Sequence, residues 1–491
     1  MSFSTQGFDE AFFAASAQSW RRGLAAREFS AAELLEAVWE RILWRNPRLN
    51  AIVATDIEAA RETARHADAR LAQGVARPLE GLPLTIKDSF ETAGLTTACG
   101  MPSLADHVPG EDSVAVARLR AAGAIILGKT NVPMLTGDFQ TYNGVYGVSA
   151  NPWDEALTPG GSSGGAAAAV AVGMTAFELG SDLGGSIRWP SHACGLFGLK
   201  TSWGQVPLFG HIPPLPAMRS KNPPDLGVAG PMARSAADLD LALSAMAGPI
   251  NPKGPAFLRK AATRLPDQLR LAVWLDDDFA PVDASVSAAV LVAAEALRSA
   301  GAQVDMVARP AVDFIGIFEA YASLNFAMGA AGLPVEARNE LAATARLFDP
   351  GDRSYLAIQA RAARLDAASF SALMQRRAAV KAAFAAFFGD YDAILCPPAP
   401  APAIAHDFSP DFFARRIATS HGPLPYFDFL KWASLASFAH LPAAVAPVML
   451  NAQGLPCGVQ IICAFDEDRS AIAIAGMLET FCGGFRAPAA P

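Results

Sequence analysis

The sequence is short of charge, of paired cysteines and of long apolar runs, and each shortage removes a class of function. Charged residues make up 18% of the 491, the formal net charge is −8, and no long run of Lys or Arg occurs. A nucleic-acid backbone or an anionic membrane attracts the opposite sign, so neither is an expected partner. The six cysteines, Cys99, Cys194, Cys396, Cys457, Cys463 and Cys482, contain no CxxC pair. In a chain of this size without an export signal they read as reduced core residues. No apolar run reaches the length of a membrane span. The first residues, "MSFSTQGFDEAFFAASAQSWRR", lack the charged-then-apolar layout of a leader peptide. The expectation is a soluble, cytoplasmic protein.

What the sequence does hold is apolar material, 52% of it, enough for a large core. "SAAELLEAVWERILWRNP" reads as a helix with Ser30 and Glu33 at capping-box spacing and Pro47 as its stop. In "GLPLTIKDSF" Leu82, Leu84 and Ile86 alternate until polarity begins at Lys87, which predicts a short strand ending in a lysine. "DSVAVARLRAAGAIILGKTN" gives a helix, a stop at Gly123 and a buried strand. A helix nearly free of polar side chains is expected over 166–177. "VAGPMARSAADLDLALSAMAG" reads as an amphipathic helix, and residues 314–388 as largely helical. "YDAILC", "LPAAVAPVML" and "CGVQIICAF" read as strands, and "HIPPLPAMRSKNPPD" as a surface loop. Such alternation predicts a layered α/β fold. No linker divides the chain, so residues 1–491 are expected to form one domain, with a variable, mostly helical region at about 310–390.

The chemistry lies in "TPGGSSGGAAAAVAVGMTAFELGSDLGGSIRWPS", where Ser162-Ser163 and Ser186 each sit among glycines. A flexible linker would have polar, repetitive surroundings, whereas this stretch leads into a buried helix. A phosphate loop needs Lys and Ser/Thr after its last glycine, and Ala166 follows here. Gly161 to Gly165 also fits G-x-S-x-G, with Ser163 as nucleophile and His406, His421 or His440 as its base. That elbow follows a buried strand, and what precedes here is the turn-like "NPWDEALTPGG".

On the segment "GGSSGGAAAAVAVGMTAFELGSDLGGSIRWPSHACGLFGLKTS", preceded by "GLPLTIKDSF" and "NPWD", the sequence resembles the amidase signature family. These are serine hydrolases that use a Ser–cis-Ser–Lys triad without histidine. "NPRLNAIV", "VAGPMARSAADLDLAL", "YDAILCPP" and "LPAAVAPVML" extend the likeness over most of the chain. The resemblance implies an α/β/α layered domain around a large mixed central sheet, and cleavage of an amide, carbamate or ester bond with no metal or organic cofactor. It makes Ser186 the nucleophile, Ser162 the bridging cis-serine 24 residues before it, and Lys87 the base. Backbone N–H groups of Leu183, Gly184, Gly185 and Ser186 become the oxyanion hole, with Asp182 and Arg188 shaping the site. Thr136, Gly137 and Asp138 become substrate contacts. The partner implied is a small amide-like molecule, with an apolar or aryl group favoured by the helical region, and a homo-oligomer is compatible with it. A second implied role is that of the A-type component of a tRNA-dependent amidotransferase.

A serine hydroxyl needs a base to take its proton as it attacks, and lysine performs this only as the neutral amine. An ordinary lysine titrates at about 10.4, so work at neutral pH demands about 4–5 kcal/mol of disfavoured charge. The inner end of an apolar strand is an environment that supplies it, provided that Asp88 does not pair with Lys87; alternation of side chains sends the two apart. Lys129 and Lys200 read as structural or exposed, and His192 with Cys194 as packed residues rather than metal ligands.

Overall fold

The computed structural model describes residues 8–220, 224–249, 259, 264–330, 334–363 and 365–490. Among the described residues eleven strands form one sheet: β1 (Ile52–Thr55), β2 (Pro83–Lys87), β3 (Ile125–Thr130), β4 (Glu178–Asp182), β5 (Phe197–Lys200), β6 (Val228–Ala233), β7 (Arg270–Val273), β8 (Gln303–Asp305), β9 (Ala393–Cys396), β10 (Ala443–Leu450) and β11 (Pro456–Ile462). Their spatial order is β1-β3-β2-β4-β6-β5-β10-β11-β9-β7-β8. The triplets β3-β2-β4 and β9-β7-β8 run parallel and the joins between them are antiparallel, so the sheet is mixed. Strands β2, β3, β4 and β6 are buried along their whole length, as expected of strands covered on both faces.

Three elements differ from the sequence-based expectation. The capped helix begins as predicted, with the Ser30–Glu33 capping box formed, but it runs through Pro47 to Leu49. Proline one turn from a helix end removes only one ladder bond, and Asn50 in the left-handed conformation makes the stop. The apolar helix is shorter, Gly164–Ala171, with every residue buried. The segment expected as one helix from 228 is first strand β6 and then the helix Ala236–Met246. Proline argues against a central strand. Pro231 is tolerated because β5 registers only with Met232 and Ala233, leaving Pro231 paired on the β4 side alone.

The helical region appears as Phe314–Ala330, Val335–Thr344, Tyr355–Ala362 and Ala367–Asp390. The loop beginning at His211 is irregular apart from a short turn at Pro216–Met218, and its residues 221–223 lie outside the described residues. Among the described residues no helix is long and apolar enough to cross a membrane.

Candidate active site

Strand β2 lies between β3 and β4, and its last residue, Lys87, is fully buried. Its Nζ lies 2.7 Å from Ser162 Oγ, 2.8 Å from Ser163 Oγ and 2.9 Å from Ser181 Oγ, with the Ser181 carbonyl at 3.4 Å. The amine is thus wrapped by hydroxyls rather than by carboxylates. Alternation along β2 sends Asp88 the other way, where its carboxylate meets Lys129 at 3.6 Å. Burial lowers Lys87 to about 7, against the opposing pull of more distant acids. On the neighbouring strand a buried acid, Glu178, accepts from Thr85 and Thr130. Burial raises it to about 8, and Asp182, at the far end of the same strand, is spoken for by Arg188.

Ser162 and Ser163 precede the helix Gly164–Ala171, and the Gly161–Ser162 peptide is cis. The glycines here are packing requirements. A Cβ on Gly165 would lie 2.5 Å from the Asn131 backbone nitrogen and 2.7 Å from the Ala51 carbonyl oxygen. Closeness, more than flexibility, explains GGSSGG at this end.

Past β4 the chain turns through Leu183, Gly184, Gly185 and Ser186. Asp182 organises this turn: its carboxylate accepts from the N–H groups of Gly185 at 2.9 Å and Ile187 at 3.1 Å, and pairs with Arg188 at 2.8 Å. Burial alone would raise this carboxyl, but Arg188 beside it overrides that and holds it well below the usual carboxylate range. Gly185 N–H is therefore committed to Asp182 and cannot serve as an oxyanion donor. The N–H groups of Leu183, Gly184 and Ser186 donate to no described residue. Gly184 has no room for a side chain: a Cβ would meet Leu430 at 2.5 Å and the Tyr321 hydroxyl at 2.6 Å. Tyr321, from the helical region, also donates to the Leu183 carbonyl at 3.3 Å.

Ser186 is half-buried. Its carbonyl accepts from Ser163 N–H at 3.2 Å, which brings the two serine segments together, while its hydroxyl makes no hydrogen bond to a described residue.

Other expected residues fall elsewhere. Asp138 is consumed by an ion pair with Arg415 at 2.8 Å and by the Tyr426 hydroxyl, which leaves no free carboxylate for a substrate. Thr136 is half-buried and Gly137 exposed. None of His406, His421 and His440 hydrogen-bonds Ser163; His440 stacks on Trp203 and lies 3.5 Å from Asp225. Lys129 and Lys200 are not exposed but fully enclosed. His192 accepts from Gly458 N–H through Nδ1 at 3.1 Å, as a packed residue does. Sequence reasoning misses two residues of the site: Ser181 and His211, whose Nε2 lies 2.9 Å from Ser181 Oγ. Their only signal is polarity, Ser181 on a wholly buried strand and His211 at the start of a Pro-rich loop.

Residues 33–470 match the family model described as Amidase. The chain is 35% identical to the A-type component of the glutamyl-tRNA(Gln) amidotransferase of Roseiflexus castenholzii, over 91% of this chain and 92% of that one. It is 31% identical to the indoleacetamide hydrolase of Bradyrhizobium diazoefficiens, over 92% and 84% respectively. A solved structure, reported as a vestigial protein complex bearing on the origins of an s-triazine catabolic enzyme, is 29% identical. It covers 97% of this chain and 100% of its own at a TM-score of 0.78.

Proposed function

The chain belongs to the amidase family, and from that premise we propose that it is an amidohydrolase working through an acyl-enzyme on Ser186. The single observation that carries the reading is a fully buried lysine surrounded by serine hydroxyls and lowered to about 7. Holding an ammonium there costs about 4–5 kcal/mol relative to water, so the neutral amine is available near neutral pH.

Ser186 Oγ attacks the substrate carbonyl while its proton passes to Ser162, whose own proton moves to Lys87 Nζ. The developing oxyanion faces the N–H groups of Leu183, Gly184 and Ser186, each such donor contributing about 2.7–4 kcal/mol in comparable sites. Reversal of the relay protonates the leaving amine as the carbon–nitrogen bond breaks. Water then cleaves the acyl group from Ser186 with the same base. Asp182 and Arg188 fix the turn that presents the donors.

Amides are the main substrates of this reading, with carbamates and esters accessible to the same chemistry. Tyr321 at the Leu183–Gly184 turn, and Tyr355 stacked on Phe427 with centroids 4.3 Å apart, support an apolar or aryl group on the substrate. Thr136 and Gly137 remain as contacts at the rim. The whole chain acts as one domain, with the helices from Phe314 to Asp390 contributing the variable wall.

The test is covalent. Incubation with an activated aryl ester and peptide mapping should find the acyl group on Ser186, and Ser186→Ala should lose both adduct and turnover. An adduct on Ser163 would overturn the assignment. The near full-length likeness to the A-type component of an amidotransferase favours a second reading, one member of a complex that works on charged tRNA. Hydrolysis of small amides by the purified chain alone supports the first; activity only after partner proteins are added supports the second.

A further inference from the structure

Hydroxyl groups donate one proton each, so the direction of a chain of them is fixed by whichever end can only accept or only donate. Such an end lies beside Lys87. The Pro213 carbonyl only accepts, and His211 Nδ1 lies 3.2 Å from it. Nδ1 therefore carries the imidazole proton, and Nε2 is left as an acceptor. Nε2 is 2.9 Å from Ser181 Oγ, so the Ser181 hydroxyl spends its proton on His211. Towards Lys87 Nζ, 2.9 Å away, Ser181 Oγ only accepts.

A neutral amine has two N–H donors and one lone pair. Ser181 Oγ takes one donor. Ser163 Oγ, at 2.8 Å from Nζ, has the Ser181 carbonyl at 3.4 Å as an outlet for its own proton and takes the second. Ser162 Oγ, at 2.7 Å with no other described partner, is left facing the lone pair. We infer that His211 is a positioning residue which, acting through Ser181, keeps the Lys87 lone pair turned toward Ser162. The inference rests on Lys87 being the base.

The ring is held for this. It packs edge-on against Phe90, with centroids 4.8 Å apart and planes at 78°, and Ile212 N–H donates to the Ser89 carbonyl at 2.7 Å. His211 bonds neither Ser162 nor Ser163 nor Ser186, so it acts one hydroxyl away from the base and not on the substrate. Loss of solvation lowers the imidazole below its ordinary range, which keeps Nε2 an acceptor. Without that acceptor, the Ser181 hydroxyl can rotate and donate to Lys87, putting a proton where the one from Ser162 has to arrive.

The experiment takes the best substrate from a panel of amides, anilides, carbamates and esters, and measures kcat and KM separately. His211→Phe, which keeps a ring against Phe90, should lower kcat about tenfold with KM unchanged, a part of the ~10²–10⁴ that a positioned general base supplies. His211→Gln returns an acceptor at similar reach and should recover most of that loss. In a Ser181→Ala background, His211→Phe should have no further effect. Wild-type kcat in His211→Phe, or the full tenfold loss repeated without Ser181, would overturn the inference. If His211→Phe does not fold, His211→Met against His211→Gln, nearly equal in shape, carries the same comparison. Lys87→Ala run in parallel separates the two levels. An active Lys87→Ala defeats the base itself, whereas an inactive Lys87→Ala with an unaffected His211→Phe defeats only the positioning role.

Discussion

Lys87 and Lys129 end up on adjacent parallel strands, one register position apart, and both are entirely buried. Burial lowers both, Lys87 to about 7 and Lys129 to about 8, so loss of water alone does not make a base. The neighbours make the difference. Lys129 Nζ donates to the Phe90 carbonyl at 2.6 Å and the Thr97 hydroxyl at 2.8 Å, and faces the Asp88 carboxylate. The carbonyl and the carboxylate reward the charged amine and have no proton to give, and the Thr97 hydroxyl spends its own proton on the Leu95 carbonyl at 3.2 Å. Three serine hydroxyls surround Lys87, and a hydroxyl can donate as well as accept. Lys200 sorts with Lys129: it is lowered to about 7, yet its partners are the carbonyls of Thr201 and Leu441.

The largest effect that tests this distinction is on turnover. Lys87→Met should reduce kcat by at least the ~10²–10⁴ of a general base. Lys87→Arg should not restore it, because guanidinium does not deprotonate in this range. Lys129→Met should keep kcat per folded molecule within several-fold of wild type. An equal collapse in both variants, measured by active-site titration with an acylating probe, would break the distinction.

The second effect is on stability, and it has opposite signs. Lys87 titrates lower folded than unfolded, so its burden on the fold is fully present below pH 7 and fades as the pH rises toward 10.5. Lys87→Met should therefore be more stable than wild type at pH 6, by a few kcal/mol. This is the ~4–5 kcal/mol of disfavoured charge less ~1–3 kcal/mol for a Ser162 hydroxyl left without its partner. The gain should shrink at pH 9. Lys129→Met also relieves a lysine lowered by burial, but it leaves the Asp88 carboxylate buried alone, and the net cost of breaking such a pair is typically about 3–5 kcal/mol. Asp88 already sits high, at about 6, so at pH 6 it escapes part of that cost by protonation and the loss should deepen at pH 8. Denaturant titrations at the two ends of the range measure both.

Why Lys87 and not Lys129 is legible in the sequence has a physical answer. Composition and spacing put both lysines where a strand meets a loop, Lys87 as the last strand residue and Lys129 just past the strand. Only the long glycine–serine segment singles out Lys87, by resemblance. The alternation that separates Lys87 from Asp88 is readable locally, because side-chain direction in a strand has a period of two. The commitment of Asp138 to Arg415, 277 residues away, is not. Nor is the approach of His211 to Ser181 across 30 residues, since tertiary placement of a Pro-rich loop leaves no periodic trace. The taking of Gly185 N–H by Asp182 is local, yet it depends on the conformation of one turn, which glycine composition permits without specifying.

The smallest effect sharpens the comparison most, because it touches Lys87 without removing it. In wild type, kcat/KM should rise with pH through about 7 as Lys87 loses its proton in the free enzyme. Ser163 Oγ accepts from Nζ at 2.8 Å, and it does so for the ammonium and for the amine. A hydrogen bond to a charged group contributes about 1.5–3 kcal/mol and one between neutral groups about 0.5–1.5. Ser163→Ala therefore removes more from the ammonium than from the amine. The acid limb should move to lower pH by about one unit or less, with kcat on the plateau down only a few-fold. The direction follows from the hydroxyl cage: an acceptor removed from a buried cation makes the proton easier to lose. A limb that moves to higher pH would mean that Ser163 donates to the lone pair, and the amine would then be aimed away from Ser162.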